Sequence, residues 1–438
     1  MTHPASDPVV AALRNGRELA WLRTRPAGQR GASALHPDGI VDAENRFTAF
    51  GPWFEDVFGV PDGVVESPLE PVPNLHDRLN DLTGVTVTGR VLAKRDDVLP
   101  ISGSVKSRGG IHEVLQVAEE VAAARGVRLE DALAEPGTFA DHGIVVGSTG
   151  NLGLAIGVVS AALGFRTTVH MSRDAKAWKK ELLRSRGVEV VEHPGDFTDA
   201  VSAGRRQCAD DPTLHFVDDE NSTALFYGYA AAGRHLARQL RDREIPVDDA
   251  HPLIAYLPCG VGGAPSGLTY GLRHALGPGV RSVFAEPVAA PSMTLAVRTG
   301  LLDQIAVRDI GLDGRTTADG LAVGRASSLA APYAAAAVDG FLTLTDARLN
   351  VLVAEACQTE GLTLEASATA GLSGPWLVTA SPARPDAWRL PDADLARATH
   401  VVWFTGGALL PDVEHRALVA DGRRAAVDWD VRAVAFPR

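Results

Sequence analysis

The sequence predicts an α/β protein with two open, twisted α/β layers facing a cleft. Two observations lead there. Short apolar, β-branched runs alternate with helical patterns in two separate series along the chain, the pattern of βαβ units on parallel sheets. Four small-residue segments then fall just after a strand or at the start of a helix, where open parallel sheets bind ligands.

The first hundred residues are rich in loops, with prolines scattered from 61 to 73 and a helix expected over 43–58. The first series runs strand 144–146, helix 152–163, strand 166–170, helix 175–186, strand 188–191, helix 197–208 and strand 214–217. The second runs helix 224–240, strand 253–257, helix 267–276, strand 280–285, helices 346–360 and 366–378, and strand 401–404. The break between them divides the chain into a smaller domain, 112–223, and a discontinuous larger one, 1–111 with 224–438.

Composition narrows the function. The 438 residues carry 42 basic and 54 acidic side chains, a net charge of −12, with 45% hydrophobic residues. That is ample for a core, and it argues against nucleic acid, whose phosphates need clustered Lys and Arg. Cys208, Cys259 and Cys357 lie too far apart for a disulfide framework or a C-x-x-C site. The run 152–164 is too short to span a bilayer, and 1–25 carries charges where a signal peptide needs an apolar stretch. A cytoplasmic protein without membrane or nucleic-acid partners is expected. Of the basic residues only five are lysines. Lys176, Lys179 and Lys180 read as one exposed helix face, leaving Lys94 and Lys106 alone.

Each of the four segments has a chemical and a bland reading. In Pro-Ile-Ser-Gly-Ser-Val-Lys-Ser-Arg-Gly-Gly (100–110), Lys106 precedes a helix expected from 111. The positive end of that helix favours a neutral, nucleophilic amine suited to Schiff-base chemistry; a solvated surface lysine is the alternative. Gly-Ser-Thr-Gly-Asn-Leu-Gly (147–153) offers backbone N–H groups and the side chains of Ser148, Thr149 and Asn151 to an anion. It equally describes a capped strand-to-helix turn. Pro-Cys-Gly-Val-Gly-Gly-Ala-Pro-Ser-Gly (258–267) opens a helix with Gly260, Gly262 and Gly263, forming either a phosphate cradle or a close helix–sheet contact. Cys259 reads as packed, since no positive charge beside it would lower its pKa. Trp-Phe-Thr-Gly-Gly-Ala (403–408) closes the last strand with a threonine that meets a ligand or merely turns the chain. Two anion loops, a helix-start lysine and a strand-end hydroxyl together describe a pyridoxal phosphate site.

With 318–327 (Ala-Asp-Gly-Leu-Ala-Val-Gly-Arg-Ala-Ser) and 364–368 (Leu-Glu-Ala-Ser-Ala), these stretches resemble the bacterial D-serine dehydratases, from about Glu66 to Pro411. These are fold type II pyridoxal-phosphate enzymes, similar to the tryptophan synthase β-subunit, with the cofactor in the cleft between two α/β domains. The resemblance implies β-elimination of D-serine to pyruvate and ammonia by a monomer or small homo-oligomer. It implies that Lys106 forms the internal aldimine, that Asn151 bonds the ring hydroxyl, and that Thr405 meets the pyridine nitrogen. Gly260, Val261, Gly262 and Gly263 would hold the phosphate, and Ser148 and Thr149 would lie near the substrate carboxylate. Where this chain has Ala264 the family ordinarily has another glycine. A monovalent cation, K+ or Na+, is expected near Glu286, with an acidic turn residue before Pro287 as the alternative. Asp319 is open between an ordering role and a turn. Two other functions remain: a related enzyme acting on L-serine, L-threonine or D-threonine, and a non-catalytic α/β anion-binding protein.

Overall fold

The computed structural model describes residues 7–24, 35–148, 150–194 and 197–437. Two sheets organise the chain. The larger has seven strands in the order β1-β10-β9-β8-β11-β3-β2. These are β1 (Leu19–Leu22), β2 (Leu69–Pro71), β3 (Arg90–Arg95), β8 (Leu253–Pro258), β9 (Val280–Pro287), β10 (Gly340–Leu344) and β11 (Thr399–Phe404). Its five inner strands are parallel, and the edges β1 and β2 are antiparallel to their neighbours. The smaller sheet is all parallel in the order β6-β5-β4-β7: β4 (Gly143–Gly147), β5 (Arg166–Ser172), β6 (Glu189–His193) and β7 (Leu214–Val217). Strands β8 and β11 are buried along their whole length, as parallel strands covered on both faces require. Among the described residues no helix is long and apolar enough to cross a membrane.

Several expectations change. The helix expected over 43–58 is two, Asp38–Ala49 and Gly51–Phe58, broken where Gly51 and Pro52 follow Phe50. The helix expected from 111 begins at Lys106 and runs to Ala124, so the predicted domain boundary after 111 falls inside it. Gly109 and Gly110 disfavour helix by propensity. Here close packing overrides that: a Cβ on Gly109 would come within 2.5 Å of the Tyr229 ring, and one on Gly110 within 3.1 Å of Leu152 and Ile156. The helix expected over 366–378 splits into a single turn, Ala366–Thr369, and Gly374–Ala380. Gly371 and Gly374 press there against Tyr256.

Strands β1, β2, β3 and β10 carried no clear signal. β3 reads Arg-Val-Leu-Ala-Lys-Arg, too polar for a buried strand until Lys94 finds partners. Lys94 is fully buried, and its ammonium donates to Glu66 Oε1 at 2.6 Å, Ser67 O at 2.5 Å and Gln239 Oε1 at 2.9 Å. The exposed face proposed for Lys176, Lys179 and Lys180 is also wrong. Only Lys176 is exposed; Lys179 and Lys180 are buried against Asp319 and Glu192.

Candidate active site

The carboxyl ends of β4, β8 and β11 open on one cavity of about 630 Å³, lined by Lys106, Asn151, Asp219, Gly260, Glu365 and Thr405 among others. Register places them together. β11 pairs with both β3 and β8, so the chain leaving β11 passes the loop between β3 and the Lys106–Ala124 helix. The Val105 N–H donates to Thr405 O at 2.9 Å, and Ser104 and Gly406 form an antiparallel bridge. Those contacts fix Lys106 beside Thr405, which is nearly buried.

Lys106 Nζ lies 3.6 Å from Asp219 Oδ2 and 5.7 Å from the centre of the Tyr229 ring. Burial pushes its ammonium down, but the Asp219 charge and the Tyr229 phenol outweigh this and hold it above the usual lysine range. This reverses the expectation that the helix dipole keeps the amine neutral. A nearby carboxylate acts more strongly than the partial charge of a helix end.

The β8 loop turns at Gly262, where φ is +106° and a Cβ would meet Met293 Cε at 2.1 Å. Gly260 is less confined, its Cβ position lying 3.0 Å from Gly320 O. The helix Gly263–Leu276 then starts without a side-chain cap, leaving first-turn N–H groups for an anion. Gly260, Val261, Gly262 and Ala264 line the cavity; Gly263 starts the helix behind them. Cys259 is fully buried, and burial with the charge of Glu286 pushes its thiol up, so it is packed and unreactive.

From the smaller sheet come Ser148 and Asn151. Ser148 Oγ accepts from the Gly153 and Gly150 N–H groups at 3.0 and 3.3 Å, capping the helix Asn151–Leu163 while keeping its own proton to donate. Asn151 Nδ2 donates to Glu365 Oε1 at 2.8 Å. Burial raises the Glu365 carboxyl, Lys179 opposes the rise and Asp319 adds to it. Lys179 and Asp319 pair at 3.0 Å. Thr149 lies outside the described residues.

Glu286 does not reach the cavity lining. It is fully buried; Oε1 accepts from the Met293 N–H at 2.7 Å, and Oε2 from the Thr294 N–H at 2.8 Å and the Thr294 hydroxyl at 2.5 Å. It sits at the start of the helix Ser292–Thr299, and burial pushes its carboxyl up to about 7. This is the geometry of a helix cap and lends no support to a cation there. Among the described residues no group of three or more His, Cys, Asp or Glu side chains is placed to hold a metal.

Sequence reasoning missed Asp219, Tyr229 and Lys179, and left Glu365 without a role. Asp219 had a usable signal, since it follows the carboxyl end of β7 as the other site loops follow β4, β8 and β11. Tyr229 and Lys179 had none, lying inside ordinary helices.

A family model described as pyridoxal-phosphate dependent enzyme matches residues 60–384. The chain belongs to this family. Curated relatives narrow it to the D-serine dehydratases. The D-serine dehydratase of Serratia proteamaculans is 44% identical over 431 residues, covering 95% of this chain and 97% of that protein. A relative from Cupriavidus pinatubonensis, named "Probable D-serine dehydratase", is 47% identical over 427 residues, covering 95% and 96%. Among solved structures, diaminopropionate ammonia lyase from Escherichia coli in complex with D-serine superposes with a TM-score of 0.67. It is 18% identical and covers 92% of this chain and 100% of that one. The processed form of threonine deaminase isoform 2 from Solanum lycopersicum gives 0.63 at 18% identity, covering 92% and 91%. At that identity the likeness is one of fold, the fold type II architecture.

The cavity suits pyridoxal phosphate on its own terms. It joins a primary amine, an uncapped glycine-lined helix start and a strand-end hydroxyl. It also borders Asp219 Oδ1, a buried oxygen with no hydrogen-bond partner among the described residues.

Proposed function

We propose that this protein is a pyridoxal-phosphate dependent D-serine dehydratase that converts D-serine to pyruvate and ammonia. The observation that carries the proposal is the convergence of Lys106, the Gly260–Gly262 loop, Asn151 and Thr405 on one cavity, in a chain 44–47% identical to D-serine dehydratases.

When bound, the cofactor supplies a conjugated electron sink for negative charge developed at the α-carbon of the amino acid. The protein supplies position and protons. Lys106 is the covalent anchor for the cofactor's aldehyde. Gly260, Val261, Gly262 and Gly263 hold its phosphate through backbone N–H groups at the helix start. Thr405 would offer a neutral hydroxyl to the ring nitrogen, which would hold a proton there less firmly than a carboxylate does. Asn151, oriented by Glu365, would hydrogen-bond the ring hydroxyl. Ser148 and Thr149 bind the substrate carboxylate.

Once free, the Lys106 amine takes the proton from Cα, and Asp219 keeps the resulting ammonium charged and aimed. The hydroxyl then leaves Cβ as water, taking the proton back from Lys106 and restoring its free amine. The released enamine takes water back and divides into pyruvate and ammonia. A monovalent cation forms no part of this proposal.

Pyruvate release from D-serine, L-serine and D-threonine, each with added pyridoxal phosphate, tests the substrate. D-serine is expected to be preferred by at least about tenfold in kcat/KM. Preference for L-serine would replace the proposal with the related-enzyme reading.

A further inference from the structure

The helix Thr223–Asp242 carries Tyr229 into the space behind Lys106. The side chain is fully buried, and its hydroxyl has no hydrogen-bond partner among the described residues. A buried phenol left in that state is costly. The backbone around it is nevertheless cut to receive it. A Cβ on Gly109 would stand 2.5 Å from the ring, and one on Gly267 would stand 2.7 Å from the Tyr229 Cβ. Two neighbouring helices thus use glycine where a larger residue would evict the ring.

Three charged groups act on this phenol: Lys106, Asp219 and Glu113. Lys106 and Glu113 come from the helix Lys106–Ala124, and Asp219 from the loop after β7. The helix Gly263–Leu276 meets Tyr229 with Gly267. Glu113 is already engaged, by His215 Nε2 at 2.8 Å and by the Ser222 hydroxyl. That leaves the phenol facing Lys106 and Asp219, whose Oδ1 is also buried and unpartnered. Lys106 is acted on in turn by Asp219 and Tyr229, and its field reaches Glu365 and Cys259.

We propose that Tyr229 is a positioning residue for Lys106: its hydroxyl, which no other group engages, is the acceptor available to the ammonium and, with Asp219, confines Nζ to the cavity wall. The inference rests on the reading of Lys106 as the cofactor's anchor. Burial keeps the phenol neutral across the working range, raising its pKa well above the usual tyrosine value, so it serves as an acceptor and does not transfer its own proton. A neutral acceptor stabilises the ammonium over the free amine. Tyr229 therefore helps a released Lys106 keep the proton it takes, and it slows attack by Lys106 on an incoming aldehyde, which requires the free amine.

The two consequences have opposite signs, and Tyr229→Phe separates them. The substitution keeps the ring and removes the acceptor. Full-length protein freed of cofactor is mixed with pyridoxal phosphate, and growth of the visible absorption band is followed against pH. With the acceptor gone the Lys106 pKa falls. Capture at pH 7 is then expected to be about tenfold faster, and the pH profile of capture to move to lower pH. In the loaded enzyme kcat is expected to fall about tenfold with KM within about twofold. A tyrosine that only packs would leave the profile in place, or would slow capture and turnover together; either result overturns the proposal. Lys106→Ala is run in parallel. A visible lysine-bound band in that variant would refute the anchor reading itself, a failure distinct from an unshifted profile in Tyr229→Phe.

Discussion

Lys94 and Lys106, both isolated from the other lysines in sequence, occupy two regions built on opposite principles. Lys94 sits in a sealed cluster where three acceptors surround one ammonium. The cluster continues through Arg108, which donates to Asp96 at 2.7 and 2.8 Å and to Glu66 at 2.8 Å, and through Trp403, which donates to Asp96 at 2.8 Å. Lys106 lies at a cavity wall, 3.6 Å from one carboxylate. Each proton of the Lys94 ammonium has an acceptor, whereas Lys106 has one carboxylate at 3.6 Å. A saturated buried network fixes geometry, while an unsaturated one beside a cavity keeps capacity for a ligand. The two cooperate. Arg108 stands two residues after Lys106 and Trp403 two before Thr405, so the sealed cluster clamps both segments that carry the open site.

The sharpest way to break this comparison is to remove each lysine. Lys106→Ala is expected to abolish the lysine-bound absorption band and lower pyruvate production by at least about 10³-fold, with stability changed by less than about 1 kcal/mol. Lys94→Ala should do the reverse. It strands Glu66 and is expected to lower urea-unfolding stability by about 3–5 kcal/mol, while protein that remains folded keeps the band. Exchanged outcomes would mean that the roles have been assigned the wrong way round.

A smaller effect sharpens the picture of the cavity wall. Gly262→Ala places a methyl at φ +106° against Met293 Cε. The flexible methionine end can yield but the backbone cannot, so a cost of about 1–3 kcal/mol and roughly tenfold weaker binding of pyridoxal phosphate are expected. Equilibrium titration of cofactor into the stripped protein measures the second.

The smallest effect concerns a second sealed position in the large sheet. His400 in β11 is fully buried, its Nδ1 2.7 Å from the Tyr256 hydroxyl. Burial first, then the charges of His76 and Arg384, lowers its pKa from 6.5 to about 3. The unfolded chain therefore binds this proton well before the folded one does. The stability it contributes is full above about pH 6.5 and lost as pH falls towards 3. Between pH 7 and 5 the loss is about 2 kcal/mol. Urea unfolding of wild type and His400→Asn at both pH values should show a pH-dependent gap of that size, and equal acid sensitivity would contradict a neutral buried imidazole.

Local patterns carried much of this protein. The alternation between 144 and 217 marked every strand of the smaller sheet, because β-branched runs and amphipathic helices are decided within a few residues. The lysine loop, the two glycine loops and the strand-end threonine were legible for the same reason: each is a short chemical word at a strand or helix end. What stayed hidden depends on partners distant in sequence. β3 is a strand because Glu66, Ser67 and Gln239 satisfy Lys94. Lys179 is buried with Asp319, 140 residues away in the chain, as its partner. Helix Lys106–Ala124 tolerates two glycines because Tyr229, Leu152 and Ile156 fill the space beside them.

By itself the sequence determined the α/β class and singled out the two glycine loops and the one lysine proposed for covalent chemistry. Only the tertiary structure decided the charge state of that lysine. The dipole of its own helix favours the neutral amine, and a local reading can see nothing else. Folding brings Asp219 and Tyr229 to it from elements more than a hundred residues away, and Coulomb attraction at 3.6 Å outweighs a partial charge at a helix end.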